Sequence, residues 1–290
     1  MTTVTDGRAA GWLASRTLRY PVEFRRQLTR RRTKMALGFL ALLPLLLAGA
    51  FKLNPGGNGS GSSRQNAYGS LVDLATGSAL NFTIFSLFVS STFLLIVVVA
   101  LFCGDTIASE ASWGSLRYLL AVPVPRSRLL AVKLSVALTY CAIAVLLLSG
   151  SAMLFGWIFF GWHDLGTPLG GVLPAGTGTG RVLGVVAYLA IQLLPIAGLA
   201  FLLSVSTDAP LGAVGGAVLL QIIANILDAV TALGDLRNFL PGHYDTGWLG
   251  LLASPMQTED MIRGTISALL YVTVFVALGW WRFLRKDVVS

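Results

Sequence analysis

Residues 82–102 read FTIFSLFVSSTFLLIVVVALF, an uncharged run long enough to cross the roughly 30 Å of bilayer hydrocarbon as a helix. A transmembrane barrel would instead need strands of about 10 residues alternating apolar and polar, and this run does not alternate. Similar runs recur along a chain that is 55% hydrophobic and 12% charged. They predict six spans, at about 36–53, 79–103, 129–160, 182–205, 211–233 and 265–284. The predicted fold class is an all-α integral membrane protein. Residues 1–34 form a basic N-terminal segment and 35–290 the six-span domain. The 34 residues before the first run carry nine Arg or Lys, unlike a secretory signal with its short basic region and cleavage site, so the first run is expected to stay as a span.

The formal charge of +8 does not call for nucleic acid, because the basic residues sit beside the spans, where topology accounts for them. The N-terminus (nine), residues 101–133 (Arg117, Arg126, Arg128, Lys133) and the C-terminus (Arg282, Arg285, Lys286) all fall on one side of a six-span chain. The other side has Lys52, Arg64, Arg181, Arg237 and Arg263. Basic residues near span ends resist translocation, which predicts both termini and the 101–133 segment to be cytoplasmic. Trp12 to Lys34 mixes aromatic and aliphatic residues with arginines, the pattern of an amphipathic helix on the inner leaflet, with Pro21 predicted to break it. Enforcing topology is an equally good reading of the same arginines. Cys103 and Cys141 lie in apolar spans without metal or disulfide spacing, so they read as core residues.

Between the second and third spans lies LFCGDTIASEASWGSLRYLLAVPVPRSRLLAVK, 101–133. Asp105 is placed to cap a short helix running to about Ala121, which Pro123 and Pro125 end. Trp113, Leu116 and Leu120 would form one face, with Glu110 and Arg117 sharing another. This segment resembles the permease subunits of type-2 ABC exporters. The matching residues are Gly104, Asp105, Ile107, Ala108 and Glu110, then Gly114, Ser115 and Leu116, then Leu119, Leu120, Pro123 and Arg126. The resemblance implies a cytoplasmic coupling helix within 104–128 that docks on an ATPase. Asp105, Glu110, Trp113, Gly114 and Arg117 would lie on or beside it, and Arg126 and Arg128 would brace the chain as it re-enters the membrane. Many relatives carry a charged and a small residue after the A-x-E element, where this chain has Ala111, Ser112 and Trp113. The resemblance further implies two separate ATPase subunits holding ATP and Mg, a second permease copy or a similar chain, and a second contact at Ser204 to Pro210.

The fifth span carries Gln221, Asn225 and Asp228, spaced to share one helical face. Polar groups inside a membrane face a cavity or a partner helix, so a substrate pathway and helix-to-helix adhesion both remain open. The resemblance implies that the second and fifth spans line the route, which would add Phe82, Phe85 and Phe88 as an apolar wall. Aromatics and neutral amides suit a hydrophobic or amphipathic cargo. Gly212 and Gly216 would allow close approach of a neighbouring helix. Pro44 and Pro195 are positioned to kink the first and fourth spans. The loop 234–264, with FLPGHYDTGWLGLLASP, is the outer segment expected to be ordered.

No G-x-x-x-x-G-K-[ST] sequence surrounds any of the four lysines, so the chain is not expected to hydrolyse ATP or bind a cofactor or metal of its own. An intramembrane enzyme is a rival reading, resting on His163 beside Asp164 and His243 near Asp245. Neither pair has a G-x-S-x-G elbow or an H-E-x-x-H helix. A second rival is a non-transporting anchor or sensor that recruits an ATPase. Arginine outnumbers lysine 17 to four, which together with abundant Gly and Ala points to a bacterium with a GC-rich genome, and the expected location is its plasma (inner) membrane.

Overall fold

The computed structural model describes residues 18–53, 67–112, 125–168 and 171–285. Helix α1 (Tyr20–Thr29) has Pro21 in its first turn, where no helical N–H bond is lost and the fixed φ is favourable. The break predicted at Pro21 therefore falls instead at Arg30, which is extended between α1 and α2 (Arg31–Leu53). Helix α3 (Ala67–Leu74) leads to α4 (Ala79–Ser91), capped by Ser78 Oγ accepting from the Asn81 amide at 3.2 Å. Next come α5 (Leu94–Ser112) and α6 (Arg126–Phe160). A two-residue hairpin, β1 (Leu165–Gly166) with β2 (Val172–Leu173), leads to α7 (Ala175–Gln192) and α8 (Leu194–Ser206). Helix α9 (Pro210–Ala229), two 3-10 segments (Thr231–Phe239, Gly247–Leu252) and α10 (Glu259–Arg285) complete the described chain.

Two predicted spans are each interrupted. The run 79–103 divides at Thr92–Phe93, where the Ser91 and Thr92 hydroxyls both donate to the Phe88 carbonyl, at 2.9 and 3.2 Å. Side-chain hydroxyls that take up backbone carbonyls compete with the helix ladder. The fourth span divides at Leu193, because Pro195 has no N–H to continue the α7 ladder but suits the first turn of a new helix. Pro44, in contrast, sits within a continuous α2.

Helix α8 is apolar all round and packs on α5, α9 and α10. At Gly198 a Cβ would lie 3.2 Å from the Val272 and Phe275 side chains, so glycine sets how closely α10 approaches. Helix α6 packs on α2, α4 and α5, and α5 thereby joins the two halves. The outer faces of the long helices expose Phe39, Leu46, Ile158, Ile226, Ile266 and Leu270. A soluble monomer rarely shows so much large apolar surface, whereas lipid is its natural solvent. Among the described residues, six stretches are long and apolar enough to cross a membrane: Arg31–Leu53, Leu94–Ser112, Arg126–Phe160, Ala175–Ser206, Pro210–Ala229 and Glu259–Arg285.

Candidate functional site

Two polar features lie along α5, one toward each end. Toward its C-terminus, Asp105 and Glu110 are 1% and 2% exposed. Asp105 does not cap a helix start: α5 runs through it to Ser112. Arg30 and Arg32 reach its two carboxylate oxygens at 2.8 and 2.6 Å, so the carboxylate is met by charge pairing and not by helix-start amides. Ser109 Oγ donates to the Asp105 carbonyl at 2.6 Å, within the helix. Glu110 receives Arg26 at 3.0 Å, Arg30 at 3.6 Å and Lys133 at 3.2 Å. Lys133, 3% exposed, also holds Glu23 at 2.9 Å. The cluster thus ties α1 and the start of α2 to α5 and α6. It also explains why α1 turns Glu23 and Gln27 inward while Val22 and Leu28 stay exposed. The Tyr140 hydroxyl donates to the Phe24 carbonyl at 2.8 Å, and the two rings stack at 4.8 Å, which fixes α1 on α6.

Of the residues expected to couple to an ATPase, Asp105 and Glu110 are enclosed by this cluster. Buried charges have to be paired, and the arginines of the N-terminal segment supply the partners. Arg126 Nη1 donates to the Leu284 carbonyl at 3.3 Å, joining the start of α6 to the end of α10. Arg128 lies half-buried one turn into α6. Trp113, Gly114 and Arg117 fall outside the described residues.

The second feature is a cavity of about 360 Å³ beside the α4–α5 break. Phe88, Ser91, Thr92 and Ile96 line one side, Gln192 and Ile196 another, and Gln221 and Asn225 a third, with Asp245 and Trp248 closing it from the loop after α9. Gln221, 7% exposed, donates through Nε2 to Asn225 Oδ1 on its own helix at 3.0 Å. Among the described residues neither amide has a hydrogen bond to a neighbouring helix. Asp228, one turn on, is held by His243 Nδ1 at 2.5 Å and by Arg237 Nε at 3.7 Å, the latter without a hydrogen bond.

The loop that closes the cavity is tied to the bundle at several points. Trp248 is 1% exposed and its ring centroid lies 6.1 Å from that of Phe88. Arg181 donates to the Leu251 and Ala253 carbonyls, and Tyr271 to the Phe239 carbonyl. The Tyr188 hydroxyl donates to the Tyr244 carbonyl at 2.6 Å and accepts from Gln192 Nε2 at 2.5 Å. Gly242 has φ +98, and a Cβ there would lie 3.0 to 3.1 Å from Gln221 Nε2, Asn225 Oδ1 and Asp245 Oδ2. Three polar atoms thus converge on one backbone position that only glycine suits.

Among the predicted pathway residues, Phe88, Gln221 and Asn225 line the cavity and Asp228 stands next to it. Phe82 and Phe85 do not reach it. Phe82 packs with Ala48 and Ala152, its ring 5.2 Å from that of Phe160, and Phe85 lies edge-on to Phe51 at 5.4 Å. They face α2 and α6 because Phe88 alone is next to the helix break. Residue type alone does not single out Gln192 or Trp248, and it marks Asp245 only as a neighbour of His243. Ser90-Ser91-Thr92, three hydroxyls in an apolar run, was the available signal for the break. Of the two histidine–acid pairs, His243 engages Asp228 instead of Asp245, while Asp164 Oδ1 accepts from the Ala175 amide at 2.9 Å and caps α7.

The helices and the cavity among them define a multi-pass all-α membrane protein. Residues 67–289 match the family described as Protein of unknown function (DUF2705), and the chain belongs to that family. No curated protein matches it.

Proposed function

We propose that this chain is the permease subunit of an ATP-driven exporter, moving a hydrophobic or amphipathic compound out of a bacterial cell across the plasma membrane. The observation that carries the reading is the course of α5. It starts beside the cavity at Leu94 and continues without a break to Ser112, a rod of about 28 Å at 1.5 Å per residue. Its far end enters residues 113–124, where the sequence resembles a coupling helix. A displacement imposed there by a partner ATPase would be delivered at the cavity wall, next to the Ser91–Thr92 break that lets α4 and α5 move separately.

In this reading the arginine-rich end is cytoplasmic, with both termini, and the cavity opens toward the outer half of the membrane. Two ATPase subunits hold the ATP and Mg, and a second permease chain, identical or similar, completes the pathway along the exposed apolar face of α9. The test uses everted membrane vesicles given ATP and a panel of amphipathic dyes. Asn225→Leu is expected to change which dyes are moved while the protein level stays that of the wild type. Equal loss of transport and protein level would return Asn225 to a packing role.

A further inference from the structure

Among the described residues, Asp245 is the acidic side chain that lines the cavity. Among the described residues the Asp245 carboxylate makes neither a hydrogen bond nor an ion pair. The basic side chains Arg237 and His243 are engaged with Asp228. A half-buried carboxylate without a counter-group is costly, and native structures leave few such groups unmet. Its surroundings say what would meet it. Gln221 and Asn225 place amides at the same point, and Phe88 and Trp248 add aromatic surface, which attracts cations. No group of three or more His, Cys, Asp or Glu among the described residues could hold a metal ion.

We infer that this cavity binds an organic cation, a protonated amine or an onium group carrying apolar substituents, with its charge on Asp245 and its apolar body against Phe88 and Trp248. This rests on the exporter reading only in treating the cation as cargo. The titratable groups that act on or beside Asp245 are Asp228 on α9 and Tyr188 on α7, and Tyr188 is in turn influenced by Asp260 at the start of α10 and Tyr244 in the loop; His243 stands two residues before Asp245 and engages Asp228. Burial first, and the charge of Asp228 second, push the Asp245 carboxyl up to about 7. The ionised form, and cation binding with it, therefore increases as pH rises through neutrality.

The test is equilibrium dialysis of the purified protein in detergent micelles, against empty micelles, with tetraphenylphosphonium and its charge-opposite analogue tetraphenylborate. Saturable tetraphenylphosphonium binding is expected, about ten-fold tighter at pH 8 than at pH 6 for a group titrating midway between. Asp245→Asn is expected to weaken it at least about ten-fold and to remove the pH dependence, while Asp245→Glu keeps the preference for the cation. Equal binding of the two ions, or binding unchanged in Asp245→Asn, would overturn the inference. So would calcium ions that occupy the site and exclude tetraphenylphosphonium. If the cation binds but no ATPase accompanies the protein, the exporter reading fails and the site stands. If an ATPase is present and no saturable cation binding occurs, the site alone fails.

Discussion

Lys133 sits between Glu23 and Glu110 almost without exposure, so its charge is affordable only because both neighbours are opposite in sign. Removing one member of a buried pair leaves an uncompensated charge, at about 3–5 kcal/mol. Lys133→Met is expected to lower the thermal unfolding midpoint by that order of destabilisation, and Glu23→Gln added to it should recover part of the loss. Strictly additive losses in the double-mutant cycle would contradict the pairing. For the same reason Glu110→Lys would bury a fourth cation beside Arg26, Arg30 and Lys133 and is expected to destabilise this end of the fold. Asp245 gives a second prediction. Its carboxyl is raised in the folded protein, so its contribution to stability is fully present below the ordinary carboxylate range and is lost as pH rises through about 7. Asp245→Asn cannot ionise. Its advantage over the wild type in thermal shift should be larger at pH 8 than at pH 5, and an equal difference at both pH values would contradict the burial of this group.

The helices themselves were legible because a bilayer sets their length: uncharged runs of about 20 residues have few other uses. What ends or extends a helix was less legible. Asp105 reads as a cap from its neighbours in sequence, yet its partner Arg30 comes from 75 positions upstream, and only the folded chain reveals that the acid is neutralised inside a continuous α5. The α4–α5 break depends on hydroxyls whose competition with the ladder is weak in general and decisive here because the cavity lies alongside. The α8–α10 contact is set by Gly198, and overpacking a closely fitted interface costs about 1–3 kcal/mol. Gly198→Leu should therefore lower thermal stability to that extent, whereas Gly176→Ala, with open space around its Cβ position, should not.

At the level of the whole molecule, a buried charge cluster fastens the N-terminal helix to one end of α5 and a polar cavity adjoins the other. The second and fifth spans could be linked to this cavity from Phe88, Gln221 and Asn225, while Asp245 and Trp248 reach it from a loop whose return to the bundle depends on Arg181 and Tyr188, contacts with no local sequence signature. The central claim is that the chain works with an ATPase it does not itself contain. Its most direct test is purification of the tagged protein from native membranes under conditions that preserve complexes, followed by an assay of ATP hydrolysis. The account predicts that an ATP-hydrolysing partner copurifies and that an amphipathic cargo stimulates its activity. Recovery of the intact protein with no associated ATPase activity would contradict it.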